Sequence, residues 1–581
     1  MDIKKFLKLS GLVLAPDASA YLFSNFKPKT DEEIKRFVSN ILANPGLEGN
    51  RVSKQICEKI LSEFESESSS SETFMCLIDA LDIPRFKYCQ NTKKFVPFRP
   101  SLEEDVNSLL PSSPSIRSFV CANRYEVVFQ HVTRNPLFAS DGKGFKLRPV
   151  EFLLSMGAKE TSVIVLGVLT QLKNAQWYLE DPSNLVKLDL SQTRFHQGVF
   201  SEGSVVLAEG WYDDEVFHAT GIGLPPVERA VDTRRYFSVS NPFGGASLDA
   251  PAASNDQRMI RLLNSAQDSM IVLLGETRLD VHGCLDHLET VFMGYTEFPP
   301  AAFVLCGNFI SPDYGTYPSD KRALLRQLFG RLTDAFLRAY GDAESRGSRQ
   351  PTLVLVPGPS DLCLGPPGIY PRPSLAPDLF QAADRSKLPA WLHLASNPIR
   401  LRLFTREIVV FRYDYGQLLR HCVHLPSTTV TGPTGADIGS LDSQPESTPV
   451  DSQSQCEDSE ANQSSAAKLG LGLARCLTSQ AHLTPLPLHS SPVYWAYDQS
   501  LSLNPLPDLV VAVEPNAIAD LNAASAPPSS DDKSPDPFGG CQFTNPGRFG
   551  TVSTAGAGTT EYTFKVYYPS SRVVEDSRLP S

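Results

Sequence analysis

Met270-Ile271-Val272-Leu273-Leu274 is a run of five apolar residues that ends on Gly275-Glu276-Thr277-Arg278. A run this short and this free of charge reads as a strand buried on both faces. The residues after it set the topology. Leu285, Leu288, Val291 and Phe292 recur at helical spacing, and Ala302 to Cys306 is a second apolar run. Leu325, Leu328, Phe329, Leu332, Phe336 and Leu337 mark a longer helix closed by Gly341, and Leu353-Val354-Leu355-Val356 makes a third strand. Strand, helix, strand, helix, strand predicts a layered α/β core, whose ligands gather beyond the carboxyl ends of the strands.

Upstream of this core the period changes to two. Val163 to Leu166, Trp177 to Leu179, Leu185 to Leu190, Val205 to Leu207 and Val216 to His218 are short runs separated by turns such as Asp181-Pro182-Ser183-Asn184. Five such strands predict a small OB-type β-barrel over 138–226. Barrels of this kind often bind single strands, and Trp177, Tyr178, Trp211 and Tyr212 offer rings. Glu180, Asp181, Glu209, Asp213, Asp214 and Glu215 stand beside them, where a phosphate would meet carboxylates, so packing is the favoured role.

The first 90 residues read as a small helical domain. Thr30-Asp31-Glu32-Glu33 is a capping box, followed by Ile34, Phe37, Val38, Ile41 and Leu42 on one face and by a stop at Asn44-Pro45-Gly46. Val52, Ile56, Ile60 and Phe64 predict a second helix and Phe74 to Leu81 a third. Segments 91–137 and 227–268 are assigned as linkers. Within the last domain, 269–581, the stretches 427–468 and 522–561 are polar and Ser-, Gly- or Pro-rich, and read as disordered insertions. Folded sequence resumes at Ser491 to Tyr497, Asp508 to Val513 and Tyr562 to Tyr568, so the insertions are loops of one domain.

The chain has 581 residues, 53 Lys and Arg against 65 Asp and Glu, a net charge of −12 and 41% hydrophobic residues. That length asks for several domains, and the acidic balance excludes dense, nonspecific coating of DNA. The 46 prolines, roughly 8% against a usual ~5%, point to many turns. Eleven scattered cysteines, none at Cys-x-x-Cys spacing, exclude a zinc ribbon and fit reduced thiols of the cytosol or nucleus. Met1 to Ala20 resembles a secretory signal only weakly, since Pro16 and Asp17 cut its apolar centre, and no run nears the ~18 residues of a membrane span.

Just past the strand ends stand Gly275-Glu276-Thr277-Arg278, Cys306-Gly307-Asn308-Phe309-Ile310-Ser311 and Val356-Pro357-Gly358-Pro359-Ser360-Asp361. Ser396-Asn397-Pro398 and Ala481-His482-Leu483-Thr484-Pro485 come later. In this order they resemble the five motifs of the calcineurin-like phosphodiesterases, whose active members read Asp-x-His, Gly-Asp-x-x-Asp, Gly-Asn-His, a lone His and Gly-His-x-His. The resemblance sets Glu276 for the first Asp, Arg278 for its His, and Asn308 and Ser311 for the second pair of Asp. Pro359 and Ser360 stand for the Asn-His pair, Asn397 for the lone His and Thr484 for the final His, while His482 survives. Two-metal hydrolysis needs oxygen and imidazole ligands around two cations ~3.5 to 4 Å apart. With one carboxylate left and Arg278 as a fixed cation, the resemblance implies a catalytically inactive domain with no metal and no cofactor. A rearranged one-metal enzyme on Glu276, Asp361 and His482 is the disfavoured alternative. His421-x-x-His424, with Cys422 between, reads as ordinary histidines rather than a zinc site.

A helical domain, an OB barrel and a ligand-stripped phosphodiesterase domain together resemble the B subunits of the eukaryotic replicative DNA polymerases. Asp82-Ile83-Pro84-Arg85-Phe86, Val205 to Tyr212, Gly221 to Pro226, Val304 to Phe309, His482 to Pro487, Pro492 to Asp498, Val566 to Ser570 and Val574 to Ser577 narrow it to the second-subunit family of DNA polymerase epsilon. Relatives tend to show Ser-Asp where this chain has Gly275-Glu276. The resemblance implies a nuclear, non-catalytic accessory subunit that binds the C-terminal region of the polymerase catalytic chain. It also implies contact with the GINS part of the replicative helicase through the N-terminal domain, and small histone-fold subunits in the holoenzyme. Replication and repair synthesis are the implied processes, with DNA met only in the assembled complex and no membrane. The B subunits of polymerases delta and alpha are the alternative, and the N-terminal helical domain speaks against delta.

Overall fold

The computed structural model describes residues 13–14, 51–52, 74–98, 109, 115–138, 144–155, 162–172, 175–237, 241–245, 257–312, 318–343, 349–425, 465–516, 518–526, 536–552 and 560–579. The chain divides into two compact units, 1–74 and 75–581. In the first, Val13–Leu14 pairs in parallel with Arg51–Val52. Val52, expected to open a helix, is therefore extended. The helices expected after Thr30 and over Ile56 to Phe64 lie outside the described residues.

The third expected helix is not formed. Met75–Asp79 (β1) is a strand paired antiparallel with Ile399–Leu403, and only Ala80–Asp82 makes a 3₁₀ turn. Phe74 to Ile78 is apolar throughout, fits either element locally, and takes its form from a partner more than 300 residues away. Residues 75–90 thus group with the rest of the chain rather than with an N-terminal domain. The next stretch, assigned as a linker, is also structured. Phe86–Cys89 (β2) and Lys94–Pro97 (β3) form a hairpin, and Ser115–Arg134 (α1) is a 20-residue helix. Tyr125, Val128 and Val132 of α1 are buried against Leu166 and Val205 of the barrel.

Val163–Gln171 (β4), Trp177–Glu180 (β5), Leu185–Asp189 (β6), Val205–Asp213 (β7) and Val216–Gly223 (β8) are the five expected strands. They lie in the order β8, β7, β4, β5, β6, and β8 returns to pair in parallel with β6, which closes the barrel. Val165, Leu169, Leu179, Val186, Leu188 and Phe217 fill it. Gln480 joins barrel to core: its Oε1 accepts from Val205 N at 2.7 Å and its Nε2 donates to Val205 O at 2.8 Å.

The larger core has two sheets. Ile271–Thr277 (β9), Cys284–Gly294 (α2), Ala302–Cys306 (β10), Pro318–Tyr340 (α3), Thr352–Val356 (β11) and Leu392–Leu394 (β12) follow the expected alternation. Then come Ile399–Leu403 (β13), Arg406–Arg412 (β14), Ser465–Ser479 (α4), Leu509–Val513 (β15), Gln542–Thr544 (β16), Thr563–Tyr568 (β17) and Val573–Arg578 (β18). The first sheet runs β12, β11, β10, β9, β17, β18, and the second β16, β15, β14, β13, β1. Val272, Leu274, Phe303 and Leu355 pack with Phe292, Phe329 and Phe336 of α2 and α3. Val409, Phe411, Val510 and Ala512 pack with Leu473 and Leu477 of α4. The alternate residues Ile271, Leu273, Val304, Leu401, Val410 and Val511 are buried too, because the sheets face each other. Arg412, on that inner face of β14, reaches across to Gly307 O at 2.9 Å.

Three further stretches differ from expectation. Segment 227–268, assigned as a linker, holds helices Ala230–Arg234 and Gln257–Ser265, and its Phe243 lies in the second core. The insertion expected over 427–468 ends early, since α4 starts at Ser465, and 426–464 lies outside the described residues. The insertion expected over 522–561 is folded at 536–552. There Asp536 accepts from Phe538 N (2.9 Å) and Gly540 N (2.8 Å), β16 follows, and Arg548–Phe549 pairs in parallel with β9. Its Gly and Pro content forms turns, as the positive φ of Gly539, Gly540, Gly547 and Gly550 shows.

Candidate functional site

At the carboxyl end of β9, strict alternation would put Glu276 on the helix-covered face with Val272 and Leu274. The register against β10 shifts between Leu274 and Glu276, and this bulge turns the carboxylate toward the second sheet. Gly275 permits the turn, because a Cβ there would sit 1.9 Å from Gly547 O.

Glu276 is 1% exposed and surrounded by donors. Its Oε2 accepts from Arg548 Nε at 2.7 Å and lies 3.1 Å from Arg278 Nη2. Its Oε1 accepts from Arg412 Nη2 at 3.1 Å and from Asn308 Nδ2 at 3.3 Å. Burial would raise this carboxyl, but Arg412, Arg278 and Arg548 outweigh it and hold it below the usual range. The carboxylate is ionised and committed to guanidinium groups.

The remaining expected positions divide. Asn308 Oδ1 accepts from Ser360 N at 2.9 Å, so the loops after β10 and β11 meet beside Glu276. Asn397 belongs to the same neighbourhood through Arg412: its Nδ2 donates to Arg412 O (2.8 Å) and Pro357 O (2.9 Å), and its Oδ1 accepts from Arg412 N (3.0 Å). Pro359 is half-buried and Ser360 exposed, while Ser311 N donates to Asp280 at 3.0 Å. Asp361 spends its oxygens on Phe309 N (2.9 Å) and Gly358 N (2.7 Å), and burial raises its carboxyl despite them.

His482 and Thr484 make their contacts elsewhere. His482 Nδ1 accepts from Thr484 N at 3.1 Å, and its Nε2 lies 3.4 Å from Asp498, which Arg124 of α1 holds at 2.5 Å. Burial and Arg124 depress the imidazole. Burial opposes, but Arg124 and His482 together drive, a strong lowering of Asp498. This triad ties α1 to the layered core. His424 stacks on Phe195 at 4.5 Å, and His421 is 3.9 Å from Glu202, so the two share no site. Among the described residues, no three His, Cys, Asp or Glu side chains converge as a metal would need. No described helix is long and apolar enough to cross a membrane.

The barrel rings pack. Trp177 and Tyr212 lie against the barrel core and Trp211 stacks on His218 at 5.2 Å. Asp181 caps local backbone, accepting from Val150 N, Ser183 N and Asn184 N.

Arg412 and Arg548 are the site residues that sequence reasoning missed. Arg412 ends an apolar run, which signals an inward charge needing a partner; Arg548 lay in a stretch dismissed on composition.

Residues 114–226 match the family described as DNA polymerase epsilon subunit 2-like, OB-fold domain, and residues 271–518 match the family of the DNA polymerase alpha/epsilon B subunits. The proteins named DNA polymerase epsilon subunit 2 from Mus musculus and Homo sapiens are each 32% identical to this chain, across 98% of it and 97% of their own length. The protein of that name from Drosophila melanogaster is also 32% identical, across 100% of this chain and 97% of its own.

Proposed function

The chain belongs to the DNA polymerase epsilon subunit 2 family, and on that premise we propose that it is the non-catalytic accessory subunit that joins the polymerase catalytic chain to the replicative helicase. Its barrel and layered core grip the C-terminal region of the catalytic chain. The N-terminal unit, residues 1–74, contacts GINS, and small histone-fold subunits complete the nuclear holoenzyme for replication and repair synthesis. DNA meets this chain only in that assembly. Two linked contacts raise effective concentration without either being tight. The junction supports such a grip: a groove of about 450 Å³ runs between α1, the barrel and Leu486 to His489.

The layered core is a phosphodiesterase-like scaffold without hydrolytic activity. The observation that carries this is the arginine cage. Where a metal-binding carboxylate would stand at the strand end, Glu276 instead pairs with Arg278, Arg412 and Arg548, and a divalent cation there would meet three positive charges.

Coexpression with the catalytic chain tests the reading: a stoichiometric complex is expected. Deleting residues 1–74 should abolish capture of GINS and spare that complex. Recovery of this chain as a monomer that ignores the catalytic chain would refute the proposal. Manganese-dependent hydrolysis of a model phosphodiester, lost in His482→Ala, would overturn its non-catalytic half.

A further inference from the structure

The arginines around Glu276 are not fully used. Three guanidinium groups against one carboxylate leave a formal surplus of two positive charges. Arg278 Nε and Arg412 Nη1 are buried donors with no acceptor among the described residues. Other buried guanidinium nitrogens, Arg400 Nε and Arg402 Nε among them, are unpaired as well, but these two stand where three guanidinium groups share one carboxylate, and an anion or water is the usual partner of such a donor. Arg278 and Arg548 both hold Glu276 Oε2, so their nitrogens lie within about 6 Å of each other. Their side chains are 22% and 29% exposed, against 4% for Arg412, so both reach the surface at the rim.

Burial raises the carboxyls of the neighbouring Asp361 and Glu514, which weakens the negative charge they set against Arg412. Asp361 is occupied by two backbone N–H groups, and Asp280 accepts from Ser311 N. Glu514 is held by Tyr415 N and Asn516 N. The cage also sits at the carboxyl end of a parallel strand, where open α/β sheets bind ligands.

We propose that the Glu276 cage is an oxyanion site, formed by Arg278, Arg412 and Arg548, that takes a phosphate dianion, free or as the end of a small phosphomonoester. Two surplus charges match a dianion, and the planar fork of arginine suits phosphate oxygens. Glu276 keeps the guanidinium groups together and limits affinity by its own charge, so a Kd on the order of 1 mM is expected.

The test is calorimetric titration of the full chain, in complex with the catalytic chain, with inorganic phosphate and separately with glycerol 3-phosphate. Sodium chloride at matched ionic strength is the control. Saturable phosphate binding that falls at least tenfold in Arg548→Gln, with circular dichroism unchanged, supports the site. Arg278→Gln is the second variant should the first perturb folding, and it should show the same loss. Equal affinity for both probes assigns the site to phosphate groups generally, and preference for inorganic phosphate assigns it to the free ion. No saturable binding at tens of millimolar, the same heat from chloride, or affinities equal in wild type and both variants would each overturn the proposal, leaving water as the partner of the orphaned donors.

Discussion

Replacing Glu276 with Gln tests the cage with almost no change of shape. The carboxylate is 1% exposed and faces only donors: Arg548 Nε, Arg278 Nη2, Arg412 Nη2 and Asn308 Nδ2. An amide keeps one acceptor and turns an NH₂ group toward the donors met by the other oxygen. It also removes the charge that separates Arg278 from Arg548. At about 6 Å and an effective dielectric near 20, two such cations repel by roughly 3 kcal/mol. Breaking a buried pair by deleting one partner costs about 3–5 kcal/mol, and Arg412, 4% exposed, cannot turn to water. The expected loss is therefore about 3–5 kcal/mol. For a domain of this size that is a fall of roughly 5–10 °C in the melting transition, read by tryptophan fluorescence or calorimetry. Arg412→Met alone should also destabilise, by leaving Gly307 O and Glu276 short of a donor. The double variant Glu276→Gln with Arg412→Met should cost less than the sum of the two single variants, since both ends of the pair go together. A melting point within a degree of wild type for Glu276→Gln, or strict additivity in the double variant, would refute the cage as a coupled unit.

Further outcomes follow from the same structure. Burial lowers the imidazole of His131 to about 4, with its Nε2 near Asn504 and Glu228. A histidine kept neutral in the fold stabilises above its unfolded pKa near 6.5. That contribution, about 3 kcal/mol, is lost as pH falls from 6.5 toward 4. His131→Gln should flatten stability over that window in pH-dependent denaturation, and an unchanged slope would contradict it. Arg124→Met removes a cation that helps depress His482 and leaves Asp498 facing it. Histidine-selective NMR should show the His482 pKa rise, with a stability loss of about 3 kcal/mol; a lower pKa would reverse the assigned electrostatics. Gly275→Ala places a Cβ on Gly547 O, breaks the 2.9 Å bond from Glu276 N to that oxygen and moves Arg548 off Glu276. A loss of about 3 kcal/mol in the melting transition is expected, and none would mean the bulge is soft.

The first sheet and the barrel were legible because their patterns are local. Ala302 to Cys306 and Leu353 to Val356 carry their own signal, and β10 and β11 coincide with them to within a residue. The second sheet was less legible. β13 alternates apolar residues with Arg400 and Arg402, and charge at every second position reads as a solvated face. Here Arg400 is 5% exposed and donates to Pro242 O, Phe243 O, Gln499 O and Ser502 O, so the charge is satisfied by backbone from distant segments. The same nonlocality explains β1: its apolar residues fit a helix or a strand, and pairing with β13 decides.

The candidate site shows the limit in sharper form. Reading motif by motif finds what is missing from Glu276, Asn308, Asn397 and Thr484, because each absence is visible at its own position. What surrounds Glu276 is visible only between positions. Arg412 is 136 residues from Glu276 and Arg548 is 272 away, and neither lies in any of the five motif stretches. A lone buried carboxylate carries a desolvation cost that proteins do not leave unbalanced. For Glu276, 1% exposed at a strand end, that cost requires at least one cation from elsewhere in the chain. Arg278 was the only one in view, and it is partly exposed. The structure answers with two more, so that three guanidinium groups surround one buried carboxylate.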